Sequence, residues 1–162
     1  MKKLIFYLLS CTIIMSCTES AIPEEGSLER KADSNLMTIK SGTKFGFCLG
    51  YCFNELIIYP ELEASFEKRS NIPNDKDYPT VIVDAVVSQA TYDSIANVID
   101  FTAFNNLADT LSDCLDCADG GAEWIEIIQA GNTKKVVFDA GADVEGFDEL
   151  LAILRRLRKI YQ

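Results

Sequence analysis

"AEWIEIIQAGNTKKVVFDAGADVEGFDELLAILRRLRKIYQ", residues 122–162, holds two strand-like runs followed by one helical stripe. Trp124, Glu126 and Ile128 alternate with Ile125 and Ile127, and "KKVVFDA" follows across a bend at Gly131-Asn132, so the stretch predicts a β-hairpin. Phe147, Leu150, Leu151, Leu154, Leu157 and Tyr161 then recur at three- and four-residue steps, which predicts an amphipathic helix with one buried face. Asp143, Glu145, Asp148 and Glu149 stand near its start, and Arg155, Arg156, Arg158 and Lys159 near its end, the order that complements a helix dipole.

The same hairpin-then-helix order occurs upstream. "NELIIYP" and "LEASFEK" are short β-prone runs separated by a turn at Pro60-Glu61. A polar, proline-bounded loop, "RSNIPNDKDYP", leads to a third strand, "TVIVDAVV", whose β-branched residues are interrupted by Asp84. Ser88 suits the N-cap of a helix over "QATYDSIANVIDF", with Tyr92, Ile95, Ala96 and Ile99 on its apolar face. The order β-β-β-α-loop-β-β-α predicts an α+β fold, an antiparallel sheet of about five strands with two helices on one face. Trp124, the chain's single tryptophan, is expected in the core or at a sheet–helix contact.

The N-terminus points to export. In "MKKLIFYLLSCTIIMSC", Lys2 and Lys3 precede an apolar run too short to span a membrane, as in a secretory leader. The run ends in "IIMSC", and this pattern looks like the lipobox of bacterial lipoproteins. Residues 1–16 are thus expected to be a signal peptide, with Cys17 the acylated (diacylglyceryl, palmitate-type) mature N-terminus. Lipid chains hold through buried methylenes, at about 0.8 kcal/mol each, so no spanning helix is needed. Residues 17–41 are polar and aperiodic and are expected to form a flexible tether, with the domain occupying 42–162. Glu19, Glu24 and Glu25 suit a solvated linker or a surface-export signal. The expected address is the bacterial cell envelope, at the outer membrane or cell surface rather than the inner membrane.

The chain has 15 basic and 25 acidic residues, and losing Lys2 and Lys3 with the leader moves its net charge from −10 to −12. Such a surface repels phosphate backbones, so nucleic acid is not expected as a partner. There is no histidine, which excludes Ser-His-Asp and Cys-His catalysis and imidazole-ligated metals.

Four cysteines fall in the domain: Cys48 and Cys52 in "GFCLGYCF", Cys114 and Cys117 in "SDCLDCAD". Outside the cytosol an even number of cysteines reads first as disulfides. The alternatives are a four-cysteine zinc site built from Cys48, Cys52, Cys114 and Cys117, or a redox dithiol at Cys114/Cys117. Crossed pairing would close loops of roughly 65 residues, worth about 4 kcal/mol in the chain-entropy model, whereas local pairing constrains the unfolded chain little. Loop entropy therefore favours crossing, and the sequence leaves all three connectivities open. Asp109, Asp113, Asp116 and Asp119 surround the second pair, but their spacing does not match an EF-hand loop. No metal or cofactor is expected.

With Cys48, Gly50 and Cys52 in "CLGYC", and Leu56, Ile58 and Tyr59 in the strand that follows, the chain resembles domain of unknown function 6438 of bacterial lipoproteins and secreted proteins. It departs from that pattern at Phe53, where the family has proline, and at Pro60-Glu61, where the family has Asp-Gly. The resemblance covers about residues 42–160, implies a small α+β domain and carries no known activity. The expected role is a non-enzymatic envelope lipoprotein, held to the membrane by its lipid, that binds an envelope protein or surface component. The alternative is a small secreted enzyme or a thiol–disulfide exchange protein using Cys114/Cys117.

Overall fold

The computed structural model describes residues 36–115, 117 and 120–162; the expected leader, Cys17 and the tether up to residue 35 lie outside them. Among the described residues, strands β1 (Met37–Lys44), β2 (Phe53–Ile58), β3 (Glu63–Arg69), β4 (Val81–Val86), β5 (Ala122–Gln129) and β6 (Asn132–Asp139) form one sheet. Its order is β4-β3-β2-β1-β5-β6, with every neighbouring pair antiparallel. Helices α1 (Gln89–Val98), α2 (Phe101–Asn105) and α3 (Asp148–Tyr161) complete the fold. The α+β class and the antiparallel sheet agree with the sequence.

One strand more than predicted is present, and it is the central one. Met37–Lys44 overlaps the stretch expected to be tether, so the folded part starts before Gly42. β1 lies between β2 and β5, and its partners supply most of the apolar character that it lacks. Ile39 sits opposite Ile58 and Ile127, and Ser41 opposite Leu56 and Ile125. The start of the strand is pinned by Tyr92 of α1, whose hydroxyl accepts from the Met37 N–H at 2.8 Å and donates to the Met37 carbonyl at 2.9 Å.

The helices contribute to one core on one face of the sheet, with Ile39, Leu56, Ile58, Phe66, Ile125, Ile127, Val136 and Phe138 beneath them. Ser88 caps α1 by accepting from the Thr91 N–H at 3.1 Å, and α1 buries Tyr92 and Ile95. The short α2 is not among the predicted elements: the sequence pattern ends its helix at Phe101, whereas Asp100 starts a separate turn there, accepting from the Ala103 N–H at 3.0 Å. Its Phe104 meets Phe147 edge to face, with centroids 5.3 Å apart. α3 buries Leu150, Leu151, Leu154 and Leu157, each worth roughly 1.5–3 kcal/mol relative to exposure.

Candidate interaction surface

Both disulfide loops lie at one end of the sheet, where β1, β3 and β6 finish and β2, β4 and β5 begin. The β1–β2 connection closes through the Phe45 N–H donating to the Cys52 carbonyl at 2.9 Å. That closure puts Cys48 beside Cys52, and the two are disulfide-bonded with Cα atoms 5.6 Å apart. Cys114 and Cys117 form the second disulfide, at 5.5 Å between Cα atoms. The pairing is therefore local, not crossed. Hairpin closure and the tight turn at 114–117 set which sulfurs meet, whereas loop entropy acts only on the unfolded chain. With the four cysteines in two disulfides, the tetrathiolate zinc alternative has no thiolates to offer. Among the described residues no other metal-binding cluster occurs, and Asp109 is engaged by Lys134 at 2.6 Å.

The two bridges differ in environment. Cys52 is 1% exposed, while Cys114 and Cys117 are both exposed. Under graded thiol reductant, Cys114 and Cys117 should be alkylated well before Cys48 and Cys52, because exchange requires access to a sulfur. Peptide mapping of the alkylated protein measures the order, and simultaneous or reversed labelling would contradict it.

The Cys48–Cys52 loop presents apolar side chains to solvent: Phe47 is 87% and Leu49 99% exposed. The loop between β3 and β4 braces it. Asn71 Nδ2 donates to the carbonyls of Phe45 and Gly46 at 2.7 and 3.0 Å, and the Tyr51 and Tyr78 rings meet edge to face at 5.6 Å. Gly50 turns with φ +98°, and a Cβ there would press on the Tyr78 ring. The Asp75 carboxylate accepts from the Asp77 and Tyr78 N–H groups at 3.0 and 3.2 Å. The Ser70 hydroxyl and these two N–H groups hold the Asp75 carboxyl below its ordinary value. This loop encloses an open cleft of about 570 Å³, and its Ile72 is 64% exposed. The result is an apolar tip, Phe47, Leu49 and Ile72, fixed by a disulfide and backbone-directed hydrogen bonds. The sequence singled out the cysteines here and missed the apolar side chains beside them. The signal was the density of phenylalanine, leucine and tyrosine in "FGFCLGYCF".

Trp124 lies on the sheet face turned away from the helices, not at a sheet–helix contact, because it alternates with Glu123, buried beneath α3, and the core residue Ile125. It is buried all the same. Its indole lies over Gly42 and against Phe53, with centroids 5.5 Å apart, and donates from Nε1 to Glu55 at 3.3 Å. Lys135 lies 4.8 Å from the centroid of the Trp124 ring, and Arg69 3.9 Å from that of Phe53. Polar and cationic side chains thus roof an aromatic pair, which explains how an open face keeps a tryptophan dry.

A second polar cluster lies beneath α3. Glu123 is 1% exposed and receives Arg155 through Nη2 at 2.8 Å, the Gly141 N–H at 3.1 Å, and Arg158. Arg158, also buried, donates from Nη1 to Ser41 Oγ at 2.8 Å. Burial works against the Glu123 carboxylate, but the hydrogen bonds from Arg155, the Arg158 charge and the Gly141 N–H outweigh it and hold its pKa below the ordinary value. Every partner here is supplied by the chain itself, so the cluster locks helix to sheet. Sequence reasoning placed both arginines at the helix end for its dipole. The overlooked signal was that Arg158 continues the Leu151 and Leu154 face.

No helix among the described residues is long and apolar enough to cross a membrane. No model of a known protein family matches the chain, and no curated protein matches it.

Proposed function

We propose that the chain is a lipid-anchored interaction module of the bacterial cell envelope, acylated at Cys17, that offers its disulfide-closed tip to an envelope protein or surface component. The observation that carries this is the exposure of Phe47 and Leu49 on a loop held rigid by Cys48–Cys52. Isolated apolar side chains on a surface are ordinary, but an ordered, braced apolar tip marks a contact site. β1 begins at the opposite end of the sheet from this tip. The likeness of Cys48, Gly50 and Cys52 to domain of unknown function 6438 is proposed on the same footing and adds no activity.

A photo-crosslinking residue at Leu49 tests the tip in intact cells. A discrete adduct, lost in a Phe47→Ser/Leu49→Ser double variant and absent with the crosslinker at Ile160, another exposed apolar position, is the expected result. Absence of an adduct, or the same adduct from Ile160, removes the tip from the proposal. Cys17→Ser tests the anchor: palmitate labelling should vanish and the protein should leave the membrane fraction.

The exposed Cys114–Cys117 bridge favours a second reading, thiol–disulfide exchange. Catalysed reduction of a test disulfide that is abolished by Cys114→Ser would support it, and no rate above background would remove it.

A further inference from the structure

The two edges of the sheet are treated differently. Along β6, residues 109–111 pair in parallel: the Leu111 N–H donates to the Val137 carbonyl and the Val137 N–H to the Asp109 carbonyl, both at 2.9 Å. Lys134 adds a bond to the Leu107 carbonyl at 2.6 Å. That edge is covered around Val137. Along β4 no described residue outside β3 hydrogen-bonds to the strand.

The register shows which β4 groups are free. The Val87 N–H donates to the Leu62 carbonyl at 2.9 Å, and Glu63 is opposite Val86, so Val87 stands opposite Leu62 in a hydrogen-bonded pair. Such pairs alternate along an antiparallel ladder, so Val81, Val83 and Ala85 bond to β3. The N–H and C=O groups of Ile82, Asp84 and Val86 therefore point away from the sheet. Their side chains lie on the face away from the helices, and Ile82 and Val86 are 63% and 74% exposed. An edge with both apolar side chains and unpaired backbone groups is a template for another strand, and proteins ordinarily blunt it. Here Asp84 is the only charge on the strand.

Asp84 also bears on which strand fits. Pairing with a second copy in the register that matches Ile82 to Val86 would set Asp84 against Asp84, a repulsive pair. Beside Asp84, Tyr59, Glu63, Ser65 and Val86 line a cleft of about 550 Å³. Glu63 is opposite Val86 and Ser65 opposite Asp84, so the two carboxylates are diagonal neighbours on one face. A lysine or arginine opposite Asp84 can lay its stem along Tyr59 and Val86 and place its charge between them. We propose that the β4 edge is a strand-addition site for an extended segment of a partner protein in which a basic residue stands between two aliphatic ones. Main-chain bonds to Ile82, Asp84 and Val86 supply affinity, and the Glu63–Asp84 pair supplies the choice of side chain. The site is independent of the tip and of acylation at Cys17.

The test is binding of labelled nine-residue peptides of alternating Val and Thr, with Lys or Glu at the centre, to the full chain. The Lys-centred peptide should bind about tenfold tighter than the Glu-centred one, and Asp84→Lys, an exposed substitution, should reverse the order. Hydrogen exchange on the unaltered protein should show new protection at the Ile82, Asp84 and Val86 amides. Failure of both peptides to bind, a charge preference indifferent to Asp84→Lys, or protection confined to other strands would each overturn the proposal. So would a dimer dissociated by Ile82→Lys, which would assign the edge to self-association.

Discussion

Glu123→Ala is expected to cost about 3–5 kcal/mol of folding stability, read as a fall in the urea midpoint, because it strands the buried Arg158 without a counter-charge. Arg155 is less affected, since its side chain is 29% exposed and can turn to water. Replacing Glu123 and Arg158 together by Leu and Met should restore most of the loss, since the penalty comes from the unpaired charge rather than from the pair's net worth. The carboxylate also ties stability to pH. Its folded pKa lies below the ordinary value, so its contribution is complete above about pH 4.3, the unfolded value, and is lost as pH falls through the folded pKa. Glu123→Gln should flatten that acid limb. A cost for Glu123→Ala below about 1 kcal/mol would mean that the cluster is solvated rather than buried.

Gly42→Ala should be nearly as damaging for a methyl group, about 3 kcal/mol, the upper end of overpacking. A Cβ at residue 42 would overlap the Trp124 ring and the carbonyl oxygen of Asn54. The indole can swing away, but the carbonyl belongs to β2, so relief means parting the two strands at the centre of the sheet. Since Trp124 is the only tryptophan, intrinsic fluorescence reports the event directly. Its emission should shift to longer wavelength as the ring leaves Gly42 and Phe53. An unshifted spectrum with unchanged stability would show that the strands accommodate the methyl.

These two positions also mark where the sequence was legible. The β2–β3 and β5–β6 hairpins, β4, α1 and α3 follow period-two or helical apolar patterns that an isolated segment displays, and they were predicted. β1 displays almost none: in "MTIKSGTK" only Met37 and Ile39 are aliphatic. Its other buried positions work through distant partners, Ser41 through Arg158 on the helix side and Gly42 through Trp124 on the opposite face, and no local pattern records them. The cysteines were legible as disulfides but not in their pairing, because the deciding factor was hairpin closure, a property of the folded chain. The exposed tip and the free edge of β4 were illegible for a related reason. Whether an apolar residue is covered depends on which strand ends as the sheet's margin, and strand order across a sheet is not written in any one strand.

The strand at the middle of the sheet is also the first among the described residues, and Lys40 meets Glu126 only across 86 residues. Four of the six strands can zip outward from β1 early, but the other two must await β5. At ordinary rates of synthesis that interval is roughly 4–17 s, and such non-local closure is slow in itself. The chain therefore stays pliable until β5 arrives and hardens only when the sheet is whole.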